Sequence, residues 1–171
     1  MSQVEPLARI PVGVVVERRK ANSQWTDFVW RPAAVLAGVP EAEPWTVLDA
    51  HADRMVFYAG AAEIALYRSD CSNYAINLAA AAPQLWVILR ETGADPPYRI
   101  AAVTADPGEA EAFTEGGTDL VESVPMPGPI CATIAAFLAV HHVGDEVFAK
   151  RKRDRADPEA LARRVPAKER K

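Results

Sequence analysis

The chain has 171 residues, half of them apolar and a quarter charged, with a formal net charge of -4. That is enough apolar material for one buried core and too much for a chain that stays unfolded. No segment approaches the roughly 20 apolar residues that span a bilayer, and Cys71 and Cys131 lie too far apart to match a zinc or redox spacing. The charge is unevenly divided. Residues 150–171 hold ten basic and four acidic residues, whereas residues 1–149 hold nine basic and nineteen acidic ones, so a tail of +6 follows a body of -10. The opening MSQVEPLARIPVGVVVERRK has only a short apolar stretch behind a glutamate, unlike a secretory leader. These features point to a soluble cytoplasmic protein with reduced thiols.

In chain order, IPVGVVVERR (10–19) is short and β-branched and predicts a buried strand. ANSQ is turn chemistry, and WTDFVWRPAAVLAG predicts a second strand. Pro32 lacks a ladder donor, which places that strand at an edge or a bulge. From Trp45 to Arg90 the pattern is meander-like. RMVFYAG and AEIALYR read as two strands joined by a tight hairpin at Gly60 and Ala61, and LDAHADR, with His51, reads as a solvated loop. NYAINL alternates Tyr74, Ile76 and Leu78 with period two and reads as a strand; a helix through AINLAAAA is the competing reading, since alanine favours helices. QLWVILR and YRIAAVTA are two further strands. ADPGEAEAFTEGG has Asp106 as N-cap, Pro107 at the first helical position and Gly116 as the stop, and predicts a short helix. TDLVESVPMP is extended. GPICATIAAFLAVHHVG predicts the clearest helix, with Ile130, Ile134, Phe137, Leu138 and His141 on one face and Gly144 at its end.

Strand–helix alternation of the doubly wound kind is missing. The expectation is an α+β domain over residues 1–149: a mostly antiparallel, meander-like sheet of five to seven strands between Ile10 and Ala105, packed by the late amphipathic helix. Residues 150–171 form a basic C-terminal extension, partly helical or unstructured, in which DPEALARR offers a cap and a first-turn proline.

No catalytic motif stands out. Cys131 and His141 are ten helical positions, or about 15 Å, apart, and adjacent histidines point about 100° apart around a helix. His141 and His142 therefore read as partners of the helix dipole, and no metal site is expected. The glycine in PVGVVVERRK lies inside a strand, and EGGTD reads as a helix end, so neither makes a phosphate cradle. Trp25, Phe28, Trp30 and Trp45 cluster early, with Arg31 beside Trp30. Such residues serve in sheet cores and in interface hot spots alike, and Trp25, Trp30 and Arg31 are the candidate apolar anchor. The run FAKRKRDRAD supplies Lys150, Arg151, Lys152, Arg153 and Arg155. Without interleaved aromatics, with interspersed acids and behind an acidic body, it does not suit nucleic acid. It fits a solvated tail or an electrostatic docking element for an acidic protein.

Three stretches, PVGVVVERRK…W…WRPAAVL, VPMP and FAKRKRDRADPEAL, carry a resemblance spanning roughly Ile10 to Leu161. The chain resembles an uncharacterised proteobacterial family, a domain of unknown function encoded beside molybdenum-dependent formate dehydrogenase and molybdopterin-related genes. Some of its members carry a transferred molybdopterin-guanine dinucleotide biosynthesis label. The glycine-rich loop and magnesium carboxylates that a guanylyl transferase needs are not evident in VVVERRKANSQW. The resemblance implies a non-catalytic accessory protein or small subunit of a formate dehydrogenase, acting in complex formation, assembly or cofactor loading. The alternative is an enzyme of molybdopterin cofactor maturation. It implies no cofactor held by this chain and no catalytic residues. Its partner would be a formate dehydrogenase subunit or assembly intermediate.

Overall fold

The structure, a computed structural model, describes residues 4–142. Strands β1 (Ala8–Lys20), β2 (Phe28–Ala37), β3 (Thr46–His51) and β4 (Arg54–Leu66) form one antiparallel sheet in the order β2-β1-β4-β3. Strands β5 (Gln84–Glu91), β6 (Tyr98–Thr104) and β7 (Asp119–Pro125) form a second, in the order β6-β5-β7. Three α-helices, α1 (Cys71–Ala79), α2 (Pro107–Glu115) and α3 (Gly128–His141), and a single 3-10 turn at Arg68–Asp70 accompany the sheets. The α+β architecture is the expected one, with its seven strands divided between two sheets.

Strand β6 runs close to β4, and β7 close to β2, so both edge strands of the second sheet lie against the first. Between them lies one core, in which Val12, Val14 and Val16 of β1 join Leu85, Val87 and Leu89 of β5. Ile130, Ile134 and Phe137 of α3 enter the same core, and Leu138 packs against it, at the spacing the sequence predicts. The helix lies mainly on α1, where the Phe137 and Tyr74 rings meet edge-on at 6.3 Å.

Five consecutive residues, Val12 to Val16, are buried because β1 is central and covered on both faces. On the outer face, Tyr58 and Pro40 press so closely on Gly13 that a Cβ there would stand 3.0 Å from Tyr58 Cε2 and 3.1 Å from Pro40 Cδ. On the edge strand β2 the register skips Ala33, next to Pro32, which gives the bulge expected of a strand proline.

Three expectations are corrected. The supposed hairpin at Gly60 and Ala61 is the middle of one thirteen-residue strand, β4. There the register skips Ala59, and Gly60 takes a φ of +137°, so glycine serves a bulge instead of a turn. LDAHADR is not a loop: its first half belongs to β3, and His51 is that strand's last residue. NYAINL is part of helix α1, because Cys71, Tyr74 and Asn77 are buried at helical spacing while Ile76 points to solvent. Asn77 fastens this helix: its Nδ2 donates to the carbonyls of Gln84 (2.8 Å) and Ala105 (3.0 Å), and its Oδ1 accepts from Gln84 N–H (3.0 Å). Helix α2 starts as predicted, with the Asp106 carboxylate accepting from Gly108 N–H at 2.8 Å. The expected boundary between residues 149 and 150 lies outside the described residues.

Candidate functional site

The β1–β2 hairpin carries ERRK up one strand and WR down the other, joined by residues 21–27. Its register pairs Glu17 with Arg31, Arg18 with Trp30, and Arg19 with Val29. On the neighbouring strand Glu17 faces Val56, and Arg19 faces Arg54. Strand alternation therefore sends Glu17, Arg19, Arg31 and Arg54 to the outer face and Arg18 and Trp30 to the inner one.

A carboxylate on a central strand, covered by its neighbours, must be paired to be tolerated. The Glu17 side chain is 3% exposed, and three arginines meet it. Glu17 Oε1 accepts from Arg19 Nε and, at 3.3 Å, from Arg31 Nε, while Oε2 accepts from Arg54 Nε at 2.6 Å. Burial pushes the Glu17 carboxyl up, but the hydrogen bonds from Arg19 and Arg54 and the charges of Arg19 and Arg31 outweigh it and hold the pKa down at about 2. Arg54 also reaches Asp49 Oδ2 at 3.4 Å, and His51 Nε2 lies 3.3 Å from the same oxygen.

The inner face at this end is aromatic. The Trp30 ring stacks on Phe57 at 5.7 Å and meets Trp45 edge-on at 6.1 Å and Tyr98 at 6.2 Å. Trp45 reaches this position from a φ of +68°, unusual for a non-glycine residue. The Arg18 guanidinium lies 4.2 Å from the Phe28 ring centroid. Beyond the strands, Trp25 stands on the hairpin loop with 88% of its surface exposed, its N–H bonded to Ser23 Oγ at 3.1 Å.

Two depressions flank this hairpin end. One, of about 580 Å³, lies between the 21–27 loop and the β3–β4 turn, with Arg18, Lys20, His51 and Arg54 set against Asp27 and Asp53. The other, of about 420 Å³, runs along the outer face and includes Glu17, Arg19, Lys20, Ser23, Thr26 and Arg31. A third concavity, of about 690 Å³, gathers Glu5, Asp70, Asp106 and Glu109. Asp106 caps α2 and accepts from Asn73 Nδ2 (2.9 Å), and Glu109 accepts from the Thr104 hydroxyl (2.6 Å), so these two carboxylates already serve the fold.

The candidate anchor residues do not share one surface. Trp25 is at the loop tip, Trp30 is half-buried in the inner aromatic cluster, and Arg31 is held on the outer face by Glu17. Lys150, Arg151, Lys152, Arg153 and Arg155 lie outside the described residues. His141 packs its ring on Phe137 at 4.4 Å, and His142 Nδ1 is buried with no hydrogen bond among the described residues. Also among the described residues, no histidine is hydrogen-bonded to a serine or cysteine, and no three His, Cys, Asp or Glu side chains gather as a metal site. No helix there is long and apolar enough to cross a membrane. The carboxylate-centred arginine cluster escaped the sequence reading. A hairpin centred on Gln24 would have found it, since Lys20 opposite Phe28 puts Glu17 opposite Arg31.

A family described as protein of unknown function (DUF3305) matches residues 11–153. The chain belongs to this family. The DUF3305 match runs from β1 past the end of α3 and takes in Lys150, Arg151, Lys152 and Arg153, while Arg155 lies beyond it. Neither a curated protein nor a solved structure matches the chain.

Proposed function

We propose that this DUF3305 chain is a non-catalytic accessory protein or small subunit that docks on a molybdenum-dependent formate dehydrogenase or one of its assembly intermediates. The genomic setting implied by the family resemblance supplies the partner, and exposed Trp25 is the observation that carries the docking. An indole buries roughly 200 Å² when it seats in a partner. At about 25 cal/mol per Å² that is a gross gain of about 5 kcal/mol, before the entropy of association is subtracted. On this hairpin the gain is left unused, because Trp25 is 88% exposed. Tryptophan is the residue type most enriched at interface hot spots. In this reading Trp25 slows dissociation, and the run Lys150, Arg151, Lys152, Arg153 and Arg155 speeds association with an acidic surface.

Affinity capture of the tagged full chain from its native cells tests the proposal. The molybdenum-bearing subunit is expected in the eluate at fixed stoichiometry if this chain is a subunit, and in its apo form if the chain acts in assembly. Trp25→Ser should weaken recovery while leaving the thermal transition within about 0.5 kcal/mol of wild type, as for other surface substitutions. An eluate from the wild-type chain with no formate dehydrogenase subunit would refute the proposal.

A further inference from the structure

We infer that the outer-face groove between β1 and β2 is a receptor for paired carboxylates, occupied by an acidic, extended segment of the partner protein. The inference rests on the accessory reading for the existence of a partner and adds the chemistry that partner must present.

The groove, of about 420 Å³, is lined by Arg19 and Arg31, with Lys20 at the strand end, and the single carboxylate Glu17 engages the two arginines at its base. Arg19 and Arg31 each meet Glu17 through Nε. Their terminal amino groups make no hydrogen bond among the described residues, and the Lys20 ammonium makes neither a hydrogen bond nor an ion pair there. The buried carboxylate thus sets the orientation of two guanidinium groups while leaving their forked ends free. Those ends are the part of arginine that matches a carboxylate bidentately. Orientation fixed on folding need not be bought again on binding, which raises affinity for a given set of contacts.

Spacing argues for an extended polypeptide. Arg19 and Arg31 are diagonal neighbours on paired strands, a relation that separates Cβ atoms by about 7 Å. Alternate residues of an extended chain are also about 7 Å apart. The side chains of an acid-x-acid sequence thus match the spacing of the two arginine positions. The hydroxyls of Ser23 and Thr26 line the same groove, and Trp25 lies between them in the loop. Charge complementarity selects the occupant further. Residues 1–149 carry nine basic and nineteen acidic residues, and five of the nine (Arg18, Arg19, Lys20, Arg31 and Arg54) stand at this end of the sheet with four carboxylates (Glu17, Asp27, Asp49 and Asp53), a local excess of one positive charge on a body of -10. An acidic segment is repelled by most of the body and steered here.

Titration of the isotope-labelled full chain with a short peptide of alternating Glu and Gly tests the inference, read at the side-chain Nε–H resonances of Arg19 and Arg31. Residue-level readout matters because the basic run from Lys150 also attracts an acidic peptide. The two resonances are expected to shift in a saturable way that added salt suppresses, and a Gln–Gly peptide should leave them in place. Arg19→Gln combined with Arg31→Gln should weaken the peptide affinity about tenfold, and Arg31→Lys, which keeps charge but loses the fork, about threefold. Should the double variant fold poorly, Lys20→Gln removes a cation with no side-chain hydrogen bond or ion pair among the described residues and should weaken binding about threefold. Unmoved Arg19 and Arg31 resonances, or inorganic phosphate shifting them as strongly as the peptide at equal concentration, would overturn the inference. Full recovery of formate dehydrogenase by the double variant would sink the groove and leave the accessory reading standing. No recovery by the wild-type chain, with the peptide still bound at Arg19 and Arg31, would do the reverse.

Discussion

Replacing Glu17 by glutamine keeps the shape of the side chain and removes the charge that three arginines share. The carboxyl titrates at about 2 in the folded chain against an ordinary 4.5. At about 1.4 kcal/mol per decade of proton affinity, that difference amounts to about 3 kcal/mol of linked stability. The partners Arg19, Arg31 and Arg54 are themselves 57, 50 and 38% exposed, so solvent screens part of it, and about 2 kcal/mol is the expected size. The sign follows from proton counting. Between pH 4.5 and 2 the unfolded chain binds the proton that folded Glu17 refuses, so this stability is complete above 4.5 and disappears as pH falls through about 2. Urea unfolding of wild type and Glu17→Gln at steps between pH 7 and pH 2.5 isolates the contribution, because the other carboxylates cancel in the difference. The variant should be less stable by about 2 kcal/mol at pH 7, melting about 4–8 °C lower, and the gap should close steadily below pH 4.5. A gap of constant size across that range would refute the assignment of Glu17 as an ionised hub.

Asn77→Ala removes three hydrogen bonds and strands the Gln84 N–H and two carbonyls, so a loss of about 2–4 kcal/mol is expected in denaturant unfolding. Phe137→Ala empties the contact between α3 and Tyr74 and should cost about 3–5 kcal/mol by the same measurement. Gly60→Ala meets nothing closer than 3.7 Å, so its expected loss of about 1–3 kcal/mol comes from the +137° φ alone; an unchanged melting temperature would contradict that reading. Elemental analysis of the purified chain should find no zinc or iron at one per chain, given the ligand spacing in the sequence.

What could be read from the sequence was what depends on near neighbours. Asp106, Pro107 and Gly116 bracket α2 because cap and stop act within one turn. Ile130, Ile134 and Phe137 marked the buried stripe of α3, and Pro32 marked the bulge on β2. The failures have one cause in common, a local pattern that tertiary placement reassigns. Ile76 looked like a core residue in an alternating strand, yet α1 turns it outward with 69% exposure while the polar Asn77 goes inside. Gly60 has the composition of a turn but supplies a bulge, since β1 is long enough to keep pairing β4 on both sides of it. All six residues of β3 are exposed, so no apolar periodicity announced that strand. The Glu17 cluster was missed for a different reason: its members come from three strands, and although a hairpin centred on Gln24 pairs Glu17 with Arg31, only the register of β1 with β4 adds Arg54.

Strand β3 has a consequence for how these molecules behave at high concentration. It is the outermost strand of its sheet, with β4 on one side. An open row of backbone donors and acceptors invites another chain to add a strand, which is the first step toward fibrils. Here the register skips Leu48, so the edge is kinked at its midpoint, and Asp49 and His51 follow the kink with polar groups. The irregularity at Leu48 thus acts as a guard against edge-to-edge stacking. Deleting that one residue is expected to straighten the edge and raise concentration-dependent association, which light scattering would detect.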